Sequence, residues 1–309
     1  MLINNKTVDL AQYKDIDRDH MRNAIKEKSE YTDELKQYFD ARKDGILGSK
    51  LPWAKTEQFI GFRRKEVSVW AGVNGHGKSL MLGHVALGFV NQGAKVLVAS
   101  LEMPAVSTLA RMARQVSCAQ FPTPKELDAF GQWNLDKYWL YDHVGKLEPW
   151  EVVALCRYAS YELGITHVVI DSLAKCTKGE DDFNGQKDFV NTLAEVAKEC
   201  DIHVHLVHHV RKSDNEEKLA GKFDLKGSGV ITDLVDNVLI VARNKAKERM
   251  TQEANGCEDH TVPDAYLSVV KQRHGDNEGT IALWFDKDSQ QYLEQSRSFP
   301  INYLGANRG

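Results

Sequence analysis

The sequence predicts an α/β domain on a largely parallel sheet, preceded by a charged helical arm and closed by a C-terminal hairpin. Three observations carry this. Gly72-Val73-Asn74-Gly75-His76-Gly77-Lys78-Ser79 fits the phosphate-loop pattern G-x-x-x-x-G-K-[ST]. It stands between a β-branched, alternating run at residues 66–72 and an apolar run at helical spacing at 79–93. Strand, glycine loop, helix is the context that gives that pattern meaning. Strand-like runs at 94–100, 166–171, 202–210 and 236–243 alternate with helical stretches at 105–118, 149–163 and 186–200, and strands separated by helices pair in parallel. The last two runs, 265–273 and 280–286, have only His274-Gly275-Asp276-Asn277-Glu278-Gly279 between them, which reads as a hairpin.

The loop is the chemical centre of the pattern. Gly72, Gly75 and Gly77 let the backbone wrap a phosphate with its N–H groups inward, and the helix N-terminus adds positive potential. Asn74 and His76 complete the loop; a histidine at 76 is tolerated by the pattern. Lys78 then reaches the β- and γ-phosphates of a nucleoside triphosphate, Ser79 reaches Mg²⁺, and Leu80 continues into the helix. The expected ligands are ATP, or another NTP or dNTP, and Mg²⁺.

Two carboxylates complete the expectation. Residues 166–173 are an apolar strand ending in Asp171, and an acid at that strand end, beside the phosphate loop, is placed to hold Mg²⁺ through water. The strand after the loop helix ends in Ser100-Leu101-Glu102-Met103-Pro104. Glu102 therefore lies at the carboxyl edge of the sheet, on its ligand side, where it can orient and deprotonate an attacking water. It also reads as a helix N-terminal carboxylate, since Pro104 resembles a first-turn proline; the two roles are compatible.

Composition bounds the rest. The chain has 309 residues, 42% hydrophobic and 27% charged, with net charge −4. That suits one large domain with an extension and excludes a global basic signature of nucleic-acid binding. No apolar run approaches a membrane span, and residues 1–15 have no signal-peptide core. The five cysteines are far apart, with no C-x-x-C pair, which argues against zinc or a disulfide framework and for a reducing, cytoplasmic compartment. Residues 1–45 are densely charged, with Met21, Ile25, Leu35 and Phe39 sparse among them. They read as one or two helices ending near Gly45: either a solvated helix on its own domain or an arm that docks on a neighbouring subunit. The motor domain is expected to span 46–309.

GVNGHGKS, SLEMP, VVIDSL, HLVHHVRK, DLKGSG followed by DNVLIVARN, and VVKQRHGDNEGTIALWF occur in this order. Over roughly residues 46–290 the chain resembles the RecA-like motor domain of the hexameric replicative DNA helicases. It looks closest to the helicase half of phage and mitochondrial primase–helicases, and SLEMP and KGSG also resemble the bacterial enzymes. The resemblance implies a ring-forming, phage- or mobile-element-encoded motor that translocates 5′ to 3′ on single-stranded DNA. No primase-like or zinc-binding segment precedes the motor pattern, so a separate or recruited primase, or a loader, is the expected partner. His209 matches a γ-phosphate sensor, with His208 leaving the register open by one. Arg273, with Lys271, matches the pair that reaches the adjacent subunit's γ-phosphate. Arg111 and Arg243 match positions near the nucleotide base.

The same register makes residues 211–229 the DNA-binding loop. Arg211, Lys212, Lys218, Lys222 and Lys226 face four carboxylates, a net of +1. One copy is a feeble patch, but six in a pore would surround a strand with lysines and glycine N–H groups. Gly227, Ser228 and Gly229 allow close backbone approach. Residues 174–188 form a second pore-facing candidate. Two other readings stay open: a filament-forming recombinase, and a regulatory or scaffold ATPase that never unwinds DNA.

Overall fold

The computed structural model describes residues 27–43, 47–179, 182–210, 229–253, 259–275 and 277–305. The chain divides into two compact units, 1–45 and 46–309. In the first, a 3₁₀ turn over Lys28–Tyr31 leads into α1 (Thr32–Lys43). Glu27 and Glu30 form a reciprocal capping box at its start, which satisfies two otherwise orphaned donors. Tyr31, Leu35 and Phe39 are exposed, and their spacing of four puts them on one helix face.

The second unit runs β1 (Ser49–Lys50), β2 (Gly61–Phe62), β3 (Val67–Gly72), α2 (Lys78–Asn91), β4 (Val96–Ser100), α3 (Ala105–Ser117), α4 (Pro124–Trp133), β5 (Tyr138–Leu140), α5 (Pro149–Leu163) and β6 (His167–Asp171). It continues through α6 (Phe183–Glu199), β7 (His203–His209), α7 (Gly229–Leu234), β8 (Asn237–Arg243), α8 (Lys245–Glu253), β9 (Ala265–Gln272), β10 (Gly279–Asp286) and β11 (Gln291–Leu293). Nine strands form one sheet in the order β11-β10-β9-β8-β3-β7-β6-β4-β5. From β8 to β5 all neighbours are parallel; β9, β10 and β11 extend it antiparallel. β3 is central, between β7 and β8. The chain leaves it for distant β4 and β5 and returns to it through β6 and β7, so the strand ends open a crevice beside β3, where α/β sheets bind ligands.

Alternation along β3 builds both cores. Val67, Val69 and Ala71 face one side, with Val168, Ile170, Val204 and Leu206, and are covered by α5 and α6 through Cys156, Ala159, Phe189 and Leu193. Trp70, with Val169, Val207 and Leu239, faces the other side and packs on α2 through Met81, Leu82, Val85 and Phe89. A strand buried on both faces reads as continuously apolar, and β3 is buried throughout. Phe89 has no exposed surface; truncating such a residue to alanine costs ~3–5 kcal/mol.

The α2 side also buries three histidines. The Trp70 indole donates to His205 Nδ1 at 3.1 Å, His205 and His167 are linked at 3.0 Å, and His167 Nε2 meets Ser49 Oγ at 2.9 Å. An indole N–H can only donate, so His205 Nδ1 accepts, His205 Nε2–H donates to His167 Nδ1, and His167 Nε2–H donates to Ser49. His203 Nδ1–H donates to the Arg63 carbonyl while its Nε2 takes the Ser68 hydroxyl at 2.8 Å. All three rings are therefore neutral, and burial holds each pKa well below the ordinary histidine value.

The six predicted runs after the loop match β4, β6, β7, β8, β9 and β10 within two residues at each end. Helix α6 begins at Phe183 rather than 186, because the Asp182 side chain accepts the Gly185 N–H at 3.0 Å and caps an earlier start. Residues 183–188 of the expected second loop are thus helical, and 180–181 lie outside the described residues. Helix α4 is absent from the periodicity reading, although Thr123-Pro124-Lys125-Glu126 carries its signal: Thr123 and Glu126 form a capping box with Pro124 in the first turn. The strands β5 and β11 are three residues each, too short for periodicity to mark.

Candidate nucleotide-binding site

The phosphate loop leaves the end of β3 as expected. Gly75 and Gly77 adopt left-handed φ values of 81° and 84°, which bulkier residues resist. Gly77 also has no room: a Cβ there would meet the Tyr292 hydroxyl at 2.5 Å. Lys78 opens α2, and its ammonium folds back to the carbonyls of Gly72 (3.0 Å) and Val73 (3.2 Å). Burial lowers its pKa, and the charges of Asp171 and Glu102 work against that.

Sheet pairing brings the carboxylates alongside. Ser100 of β4 pairs with Asp171 of β6, and the Leu101 N–H continues the ladder to the Asp171 carbonyl at 2.8 Å. Glu102 therefore emerges beside Asp171, and the Ser172 hydroxyl donates to its Oε1 at 2.9 Å. The Asp171–Ser172 peptide is cis. Burial pushes the Asp171 carboxyl up to about 6, while a hydrogen bond from Ser79 opposes the shift.

A cleft of about 640 Å³ collects these groups. Asn74, Gly75, Gly77, Lys78, Ser79, Leu80, Glu102, Arg111, Asp171 and His209 line it, with Lys146, Lys175 and Gln290. His208, the other half of the doublet, is buried at 4% exposure, so strand alternation selects His209 for the cleft. The sequence reading missed Lys146 and Lys175, which come from the turns after β5 and β6, and Gln290 and Tyr292, which arrive from the far end of the chain. Nothing local in the sequence marks any of them.

The hydroxyl of Ser79 and the carboxylate of Asp171 are an all-oxygen donor pair, the chemistry Mg²⁺ requires. Among the described residues no group of three or more histidine, cysteine or acidic side chains could hold a metal ion. Mg²⁺ bound through one or two protein oxygens draws its remaining ligands from phosphate and water, and the residues present fit that mode.

Other expected residues lie elsewhere. Arg243 ends β8 beside the loop. Its guanidinium reaches the Gly75 carbonyl at 3.4 Å and pairs with Glu248 at 2.7 Å. It lines a second cleft of about 510 Å³ with Phe285 and Tyr292, which adjoins the first through Gly77, Leu80 and Gln290. Lys271 and Arg273 do not enter their own chain's cleft. Lys271 donates to the carbonyls of Thr232 (2.6 Å) and Val235 (2.8 Å), and Arg273 pairs with Asp236 at 3.2 Å. Arg211, Lys212, Lys218, Lys222, Lys226, Gly227 and Ser228 lie outside the described residues; Gly229 is the first residue of α7. Among the described residues no helix is long and apolar enough to cross a membrane.

Comparison with known proteins agrees with this geometry. A solved structure of an isolated ATPase domain superposes with TM-score 0.75 at 16% identity, covering 87% of this chain and 99% of that one. The structure of a DnaB-like replicative helicase, described with its interactions with primase, superposes with TM-score 0.68 at 16% identity, over 87% of this chain and 67% of that one. At these identities the likeness establishes the fold. The family description DnaB-like helicase C terminal domain matches residues 55–294. That span holds the phosphate loop, both carboxylates, His209 and the Lys271–Arg273 pair, and the chain belongs to this family of replicative helicase domains.

Proposed function

We propose that the chain is an NTP-driven, ring-forming DNA helicase motor that uses Mg–ATP to translocate on single-stranded DNA during replication. One observation carries the reading: Lys78, Ser79, Glu102, Asp171 and His209 converge on a single cleft, and β7, which ends at His209, feeds directly into the basic segment 211–228.

The residues divide the work. Loop N–H groups and Lys78 hold the β- and γ-phosphates. Ser79 and Asp171 hold Mg²⁺, which when bound neutralises charge on the phosphates. Glu102, oriented by Ser172, takes a proton from the attacking water. His209 faces the same cleft and, by its place in the chain, links loss of the γ-phosphate to the DNA loop. Arg273 and Lys271 act on the nucleotide of an adjacent subunit. The exposed stripe Tyr31–Leu35–Phe39 supports the arm docking on a neighbour, and the relative described with primase supports a primase as partner. The resemblance to phage enzymes supports 5′-to-3′ movement and a phage or mobile-element origin.

The deciding experiment is unwinding of a forked duplex with Mg–ATP, with particle imaging of the assembly in parallel. Strand displacement by rings, with hydrolysis stimulated by single-stranded DNA, is the expected result. Hydrolysis with neither stimulation nor displacement would instead identify a scaffold ATPase.

A further inference from the structure

The phosphate loop carries one side chain its pattern does not require. Wrapping a phosphate takes backbone N–H groups, and position 76 could serve with almost any residue, yet it holds a histidine between two left-handed glycines. What that ring does follows from the sheet. Strands β3 and β8 pair in parallel as far as Ala71 and Ile240; β3 then leaves to form the loop. β8 runs on to Arg243, paired on its other side with β9 through Ala265. The departure of β3 leaves the Arg243 N–H without a strand to accept it, and His76 Nδ1 accepts it at 3.3 Å.

The tether is doubled. The Arg243 guanidinium reaches the carbonyl of Gly75 at 3.4 Å, and Glu248 holds that guanidinium at 2.7 Å with one oxygen while its other holds Lys245 at 2.8 Å. Two consecutive loop residues are thus bound to one residue of β8, itself braced by α8. Accepting through Nδ1 requires a neutral ring protonated at Nε2, since an imidazolium has no lone pair. Burial and the charges of Lys245, Lys78 and Arg243 lower the His76 pKa, with Glu248 opposing, which agrees with a neutral ring.

We propose that His76 is a positioning residue: its Nδ1 replaces the missing ladder acceptor and holds the phosphate loop open in its binding shape before the nucleotide arrives. This rests on the reading of the loop as the Mg–NTP site. A loop ordered in advance loses less freedom on binding, so the effect belongs in affinity rather than in the chemical step.

The test uses the full chain with His76→Ala, His76→Asn and His76→Gln. It reads KM and kcat for Mg–ATP, equilibrium binding of a fluorescent non-hydrolysable ATP analogue, and thermal melting. Asparagine places its side-chain oxygen where Nδ1 stood; glutamine places it near Nε2. His76→Ala should raise KM and the analogue's Kd about 3- to 10-fold, the range one net hydrogen bond supplies, and leave kcat within about 2-fold. His76→Asn should recover most of the loss and His76→Gln little of it, with melting temperatures alike. A wild-type KM in His76→Ala, equal recovery by asparagine and glutamine, or a fall in kcat without a rise in KM would overturn the assignment. A wild-type chain that binds no analogue and is indistinguishable from Lys78→Ala would overturn the nucleotide reading and this assignment with it.

Discussion

Lys78 and Arg273 stand at opposite ends of the same sheet. Lys78 follows the C-terminal end of β3. Arg273 follows β9, whose last residue, Gln272, pairs with Asn237 at the beginning of β8. β8 runs parallel to β3 with Asn237 level with Ser68, so the Arg273 end of β9 lies at the edge where the parallel strands start. A guanidinium there cannot serve the cleft of its own chain but is free to serve another copy's.

Mixing subunits tests this. Lys78→Ala removes a phosphate-facing charge and should abolish hydrolysis, while Arg273→Ala should do so only by depriving a neighbour. Combining the two inactive variants should restore measurable hydrolysis at interfaces that pair an intact Lys78 with an intact Arg273. Mixtures as inactive as their parents would exclude a role between subunits.

Glu102→Gln keeps the shape and the Ser172 hydrogen bond but cannot accept a proton. Nucleotide affinity should persist while turnover falls ~10²–10⁴-fold, the usual contribution of a general base. Near-normal turnover would remove Glu102 from this role.

The buried histidines make the fold acid-sensitive. His203 has its folded pKa lowered from 6.5 to about 3, as does His84, and burial lowers His167 and His205 as well. With the folded pKa depressed, the unfolded chain binds more protons between the two values, so stability is complete above pH 6.5 and is lost as pH falls towards 3. Each such ring adds up to ~1.4 kcal/mol per pH unit to the slope. Urea unfolding at pH 7, 6, 5 and 4 should show the decline, and His203→Gln should flatten it by about one group. A pH-independent midpoint across that range would refute the buried neutral network.

The segment 211–229 is tested through salt. Replacing Lys218, Lys222 and Lys226 with alanine should weaken single-stranded DNA binding for all sequences alike, because phosphate contacts carry no base information. The dependence of log K on log salt should become shallower by ~0.7 per lost contact. An unchanged slope would move the DNA contact to the segment after Asp171.

Much of this protein was legible without coordinates. The phosphate loop, the acid ending β6 and the glutamate after β4 are local patterns, and a loop between strand and helix has few ways to fold. Burial on both faces makes the strands apolar, so six of them were placed within two residues. The chain alone also marked the doublet His208-His209, but only the pleat of β7 decided which ring meets the cleft. Tertiary structure alone brought in Lys146, Lys175, Gln290 and Tyr292, because their proximity depends on crossovers and on strands of three residues that no period reveals. It alone set Arg273 away from its own nucleotide cleft, since the antiparallel turn of β9 reverses the chain. It also gave His76 its partner: whether a histidine in a glycine loop is idle or tethered depends on which neighbouring strand outruns the one beside it, and that is a property of the sheet rather than of the sequence.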